Sequence, residues 1–334
     1  MQYLEKLCLL RGTSGDEAAV RAYITAHLGD LPYTIDALGN VIVEKKGKQT
    51  PRHKIMLSAH MDEVGLIITA IEENGCLSFA PVGGIESAAL LGKRVRLNGL
   101  LGVIGTEPVH LAEDAGALPQ PEQMYIDIGA QDKAQAQQYV SPGDTAVFES
   151  AFVRFGTGMV KSKAIDDRFG CALLLELLQG EAAYDFTACF CTMEEIGLKG
   201  AGAAANRVKP DIAFVIESTT ANDVCAVSGV DRVCRLGAGT VVSFMDRATV
   251  YDRGLYQAAM ALAEQKGIAA QTKTKIAGGN DAGAIQPAAC GARVLALSVP
   301  TRYIHSGCCV AKQEDMHATA ALLKEMIVYA GEQE

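Results

Sequence analysis

Lys54-Ile55-Met56-Leu57-Ser58-Ala59-His60-Met61-Asp62 is a run of apolar and small residues that ends in an imidazole and, two positions on, a carboxylate. The stretch from Lys54 to Ala59 reads as a buried strand that delivers His60 at its carboxyl end. The same arrangement returns downstream. A strand predicted over Thr187 to Met193 leads to Glu194 and Glu195, one over Ile212 to Ile216 leads to Glu217, and His305 lies beyond one over Arg293 to Val299. Asp166 and Asp167 open a helix predicted to run to Gln179. In open α/β sheets, ligands bind outside the carboxyl ends of the strands. Polar residues placed there repeatedly would converge on one site.

Working outward, the first 64 residues read as helix, helix, hairpin and strand. Thr13-Ser14-Gly15-Asp16-Glu17 offers cap residues before the apolar pattern of Val20, Tyr23, Ile24 and Leu28. From about Gly65 to Gly158 the chain turns to short β-type runs broken by Gly, Asn and Pro, with little helical periodicity outside Asp132 to Gln138. This predicts a small all-β domain, barrel or sandwich, over 65–158. From Met159 onward helices and strands alternate. The predicted helices are Lys199 to Arg207, Arg253 to Lys266, one after Gly279, and Glu314 to Ala330; further strands are placed at Asp223 to Val227, Thr240 to Phe244 and Gln271 to Lys275. The expected fold is α/β, a mixed sheet flanked by helices over 1–64 and 159–334, with the β domain inserted.

Composition narrows the function classes. The 334 residues, 49% hydrophobic and 21% charged, suit a globular chain with a sizeable core. A formal charge of −9 without a long basic run makes nucleic acid and anionic membrane poor partners. No stretch approaches the roughly 18–20 apolar residues of a membrane span, and the N-terminus lacks a basic region followed by a long apolar core. The chain reads as cytoplasmic. Its ten cysteines form no Cys-x-x-Cys pair, and Cys8, Cys171, Cys189, Cys191, Cys225 and Cys290 sit in apolar or small-residue stretches, which predicts buried reduced thiols. The adjacent Cys308 and Cys309 suggest no role.

Singly, each polar residue has an ordinary reading: a strand-end histidine, a helix cap, an acidic first turn. Jointly, His60, Asp166, Glu194, Glu195, Glu217 and His305 supply imidazole and carboxylate donors suited to a pair of divalent ions with room for a water. Asp62 can turn to the side of His60 and hold its far ring nitrogen. A metal pair of this kind points to hydrolysis of a polarised carbonyl.

These motifs, with Pro81-Val82-Gly83-Gly84-Ile85, Lys161-Ser162-Lys163-Ala164-Ile165-Asp166-Asp167-Arg168 and Gly278-Gly279-Asn280-Asp281-Ala282-Gly283, resemble the M42 family of dinuclear metal aminopeptidases over nearly the whole chain. The resemblance implies a metallo-exopeptidase fold and a two-metal site in which Asp166 bridges both ions. It places His60 and Glu217 on one ion and Glu195 and His305 on the other, with Glu194 as general base and Asp62 as the partner of His60. It also implies short peptide substrates with a free amino terminus, and a homo-oligomer of the tetrahedral dodecamer type that the β domain helps to build. Zinc, cobalt and manganese all suit such ligands. Glu217 stands where many members have Asp, and Asn280 where Thr is frequent; both bear on metal and substrate preference.

A deacylase of small N-acyl substrates could use the same metal pair. A glycosidase needs acids that flank a bond about 5 Å or more apart, whereas Glu194 and Glu195 are neighbours, and it would leave His60 and His305 without a task. A purely structural metal protein needs no base at Glu194. Arg232, Arg235 and Lys275 are candidates for selecting an acidic first residue.

Overall fold

The computed structural model describes residues 1–107, 117–225 and 227–333. Two short helices, α1 (Leu4–Leu9) and α2 (Ala18–Ala26), precede the hairpin β1 (Tyr33–Ile35) and β2 (Val41–Lys45). The Asp36 side chain closes that hairpin by accepting the amides of Leu38 and Asn40, and Gly39 takes the left-handed φ of +95° that the turn requires. Strand β3 (Ile55–His60) follows, buried at all six positions. Each large apolar side chain there contributes about 1.5–3 kcal/mol by leaving water.

The next six strands close a barrel: β4 (Gly65–Ile71), β5 (Leu77–Val82), β6 (Arg94–Leu97), β7 (Leu100–Thr106), β8 (Met124–Asp127) and β9 (Thr145–Phe148), in the order β4-β5-β8-β7-β6-β9. Side chains along its wall alternate in and out: Val95 and Leu97 are buried while Arg94 and Arg96 are exposed. Val64, Leu66, Ile68, Leu77, Phe79, Ile104, Ile126 and Phe148 fill a core separate from that of the large sheet. Asn98 and Gly99, both at positive φ, make the two-residue turn between β6 and β7. A single helical turn, α3 (Lys133–Ala136), bridges β8 and β9.

The chain returns to the large sheet through the hairpin β10 (Val153–Phe155) and β11 (Met159–Ser162). Then follow α4 (Ile165–Gln179), β12 (Phe186–Cys191), α5 (Lys199–Val208), β13 (Ile212–Thr220), β14 (Thr240–Val242), α6 (Arg253–Lys266), β15 (Ala270–Thr272), α7 (Ala282–Ile285), β16 (Arg293–Arg302), β17 (Cys309–Lys312) and α8 (Gln313–Gly331). The sheet runs β1-β2-β12-β3-β13-β16-β17-β11-β10, with β14 on β16 and β15 on β14. Its centre, β12-β3-β13-β16, is parallel, so four carboxyl ends open at one edge. Helix α4, buried on nearly every side, packs on β3 and β13.

Several expectations change. Strand β13 runs to Thr220, so Glu217 lies inside the strand rather than after it. No strand forms at Asp223 to Val227 among the described residues; residue 226 lies outside them. The helix after Gly279 has only four residues. All ten cysteines are free, but Cys225, Cys290 and Cys308 are exposed. Small neighbours had suggested burial for Cys225 and Cys290, but small residues fill loops as readily as cores.

Candidate functional site

Register alone brings the first residues together. Cys191 pairs with His60 across β12 and β3, and Val215 pairs with Ser58 across β13 and β3, so Glu217 comes level with His60. The chain beyond β3 stays against β12 through Met61 N donating to Cys191 O. Asp62 then turns inward and is fully buried. Its carboxylate accepts Ser14 Oγ at 2.6 Å and the amides of Glu194 and Glu195 at 3.0 and 3.1 Å. It also lies 3.3 Å from His60 Nδ1. Burial opposes its charge, but His60, Ser14 and the Glu194 amide outweigh it and hold its pKa below the usual value. This contact leaves His60 Nε2 facing the cluster.

Asp166 and Asp167 divide their duties. Both have non-helical backbone angles at the head of α4. Asp167 Oδ1 accepts the Gly170 amide at 2.9 Å, the cap that a pair of aspartates before a helix predicts. Asp166 is thereby free to face the sheet edge. Its Oδ1 is 3.5 Å from His60 Nε2, and its Oδ2 is 3.6 Å from His305 Nε2. One carboxylate thus presents an oxygen to each imidazole.

His305 sits at φ +58° in the turn after β16, a left-handed position uncommon for a non-glycine residue. It is fixed from the barrel side: Nδ1 donates to Gly84 O at 2.8 Å, which points Nε2 inward, 3.2 Å from Glu195 Oε2. Gly83, at φ +86°, lets the barrel loop come close, since a Cβ there would lie 2.8 Å from Val64 Cγ1 and 3.2 Å from Glu195 Cβ.

Three sets of possible ligand atoms lie within 4.8 Å of one another: His60, Asp166 and Glu217; Asp166, Glu195 and His305; and His60, Glu194 and Glu195. Asp166 Oδ1 and Glu217 Oε1 are buried without a hydrogen-bond partner among the described residues. Burial raises the pKa of Glu217 and Glu194 well above the carboxylate value and that of Glu195 to about 7. Burial disfavours a charged His305 too, yet Asp166 and Glu195 raise its pKa to about 9. Crowded carboxylates with unpaired oxygens and inward imidazole nitrogens are the donor set of divalent zinc, cobalt or manganese, so the residues fit metal ions.

The family model described as M42 glutamyl aminopeptidase matches residues 39–322. The chain belongs to the M42 family of aminopeptidases. The glutamyl aminopeptidase of Lactococcus lactis is 30% identical, with 97% of this chain and 94% of that one aligned. Among solved structures, an aminopeptidase from the archaeon Desulfurococcus kamchatkensis superposes with a TM-score of 0.93 at 32% identity, over 99% of this chain and 94% of that one. The TET1 peptidase of Pyrococcus horikoshii, described as able to assemble into a tetrahedron or a large octahedral shell, superposes with a TM-score of 0.87 at 34% identity over 99% of each chain.

In this M42 chain all seven residues singled out from the sequence, His60, Asp62, Asp166, Glu194, Glu195, Glu217 and His305, meet at one sheet edge. Asp166, Glu194, Glu195, Glu217 and His305 line a cavity of about 620 Å³. Of the three basic candidates only Lys275 lines it, ion-paired with Asp231; Arg232 donates to Val227 O and is exposed, as is Arg235. Lys273, two residues before Lys275, escaped the sequence reading. It lines the cavity, mostly buried, with its ammonium on Ala277 O at 2.8 Å and no carboxylate ion pair among the described residues. Also unforeseen is the buried ion cluster behind the site. There Glu63 binds Lys163 Nζ at 2.6 Å and Arg168 Nη2 at 3.2 Å, while Arg168 Nη1 donates to Leu7 O at 2.6 Å. Asp281 is buried with neither oxygen hydrogen-bonded among the described residues and belongs to none of the three ligand sets. Asn280 donates to Tyr251 Oη, which in turn donates to Asp246 Oδ2. Cys309 is buried in β17 and Cys308 exposed beside it.

The cluster should make metal-free protein sensitive to alkali. Glu195 holds a proton more tightly folded than unfolded, so the stability linked to that proton is full below the ordinary value of 4.5 and lost as pH rises through about 7. His305 acts in the same direction, its contribution being lost as pH rises through about 9. Chelated protein should therefore melt at progressively lower temperature as pH is raised across this range, and zinc should flatten the profile. Scanning calorimetry of the chelated and zinc-loaded forms checks this; parallel profiles would show that the cluster does not bind the ion.

Proposed function

We propose that this chain is a two-metal aminopeptidase that releases the first residue of short peptides, with Asp166 as the ligand common to both ions. The observation that carries the proposal is the position of Asp166, with one oxygen toward His60 and the other toward His305. His60, Asp166 and Glu217 would hold one ion, and Asp166, Glu195 and His305 the other. Two bound divalent ions would supply Lewis acidity for the peptide carbonyl and make a nearby water easier to deprotonate. Glu194 is left to act as general base: it takes a proton from the attacking water and returns it to the leaving amine. In the metal-free protein burial raises its pKa well above the ordinary carboxylate value. Asp62 holds the His60 ring and so sets which nitrogen faces the cluster.

The two separate cores support a catalytic domain over 1–64 and 159–334 and an inserted barrel over 65–158; β10, at its border, pairs with the catalytic sheet. The likeness to TET1 supports a homo-oligomer, with a tetrahedral dodecamer as the assembly expected. Ten free thiols, and no helix among the described residues long and apolar enough to cross a membrane, support work in the cytoplasm.

The same cavity wall supports a preference for acidic first residues. Among the described residues the Lys273 ammonium has one hydrogen bond, to a backbone carbonyl, and a substrate carboxylate would satisfy its remaining donors. The relative from L. lactis, a glutamyl aminopeptidase, fits that preference.

Metal-loaded protein should cleave peptides with a free amino terminus and spare their N-acetylated counterparts; cleavage of the acetylated set would move the assignment to a deacylase. Glu194→Gln should keep its metal and lose turnover by about two orders of magnitude or more. Lys273→Met should cut the ratio of kcat/KM for Glu-first over Leu-first peptides by about tenfold or more. An unchanged ratio would assign the lysine to packing alone.

A further inference from the structure

The segment Thr13-Ser14-Gly15-Asp16-Glu17 carries cap residues for α2, yet Glu17, at the N-cap position, makes no side-chain cap hydrogen bond. Its side chains go elsewhere. Ser14 Oγ donates to Asp62. Asp16 Oδ2 accepts Thr145 Oγ1 of barrel strand β9 at 2.6 Å and Arg11 Nε at 2.9 Å. Glu17, 3% exposed, accepts the amides of Gly15 at 2.8 Å and Met193 at 3.2 Å through the same oxygen.

Met193 is the residue before Glu194, and its φ is +55°. An unbranched L-residue seldom stays there unless surrounding contacts hold it. Three successive amides of this turn are captured by two carboxylates: Met193 by Glu17, and Glu194 and Glu195 by Asp62. The partners lie 176 and about 132 residues away along the chain.

We propose that Glu17 is a positioning residue for Glu194. It fixes the left-handed turn at Met193 and thereby the direction in which the next side chain enters the site. Ser14 serves the same turn by steadying Asp62. What matters is an acceptor at that distance, and the charge on Glu17 is incidental. The inference rests on Glu194 being the general base, and the two stand apart in the following test.

Glu17→Gln, Glu17→Asp and Glu17→Ala are prepared beside Glu194→Gln, all zinc-loaded. For each, bound zinc, melting temperature, and kcat and KM on a free-amine peptide are measured. Gln keeps an oxygen at the same reach, so Glu17→Gln should stay within about threefold of the parent in kcat. Asp keeps the charge but shortens the arm, so Glu17→Asp should lose about 10- to 100-fold in kcat with KM within about twofold and zinc content unchanged, the size of loss a misplacement of about 1 Å produces. Glu17→Ala should match it, and if it fails to fold the Asp and Gln pair still decides. Parent-like kcat in Glu17→Asp, or equal losses in Asp and Gln, would overturn the proposal. Full activity in Glu194→Gln would remove the base and with it anything to position.

Discussion

Carboxylates crowded together out of water repel one another, and the edge of this sheet gathers Asp62, Asp166, Glu194, Glu195 and Glu217 around two imidazoles. Desolvation raises the pKa of Glu194, Glu195 and Glu217, while Asp166, between two histidines, is driven the other way. Such a cluster settles only by taking up protons or cations. In the proposed enzyme divalent ions meet that demand, and the rest of the structure follows from holding the ligands in place while the charge is neutralised.

The scaffold does so with rigid elements. Parallel pairing of β12, β3, β13 and β16 brings Glu194, Glu195, His60 and Glu217 to one edge and leads the chain to His305. The barrel contributes from outside, through Gly84 on His305 and Thr145 on Asp16. Behind the site, Glu63, Lys163 and Arg168 form an ion cluster that ties the chain after Asp62 to both flanks of Asp166 and to the end of α1. Removing one partner from such a cluster strands buried charge at a cost of about 3–5 kcal/mol. The site is thus anchored to both parts of the fold.

Much of this was legible because apolar strands are easy to find and their last residues are conspicuous when polar. His60, Glu194 and Glu195 could be placed at one edge from strand ends alone, whereas Glu217 reaches it from within a strand that runs on to Thr220; the loss of helical periodicity after Gly65 marked the β region. What was not legible depends on long-range partners. Asp167 as cap and Asp166 as the inward-facing carboxylate look identical in sequence, and only the family resemblance told them apart. Glu17 reads as a cap because its true partner, Met193, is distant and offers only a backbone amide. Lys273 follows a three-residue strand too short to reveal which way it faces. The strand expected at Asp223 to Val227 does not form among the described residues there, because local β-propensity decides little without a partner strand.

Counting ions tests the account most directly. Cobalt is titrated into chelator-treated protein, and heat of binding and hydrolysis of a free-amine peptide are followed together. The account predicts two cobalt ions per chain, with full hydrolysis only when the second is bound. Saturation at a single ion with full activity, or two ions bound without hydrolysis of any free-amine peptide, would contradict it.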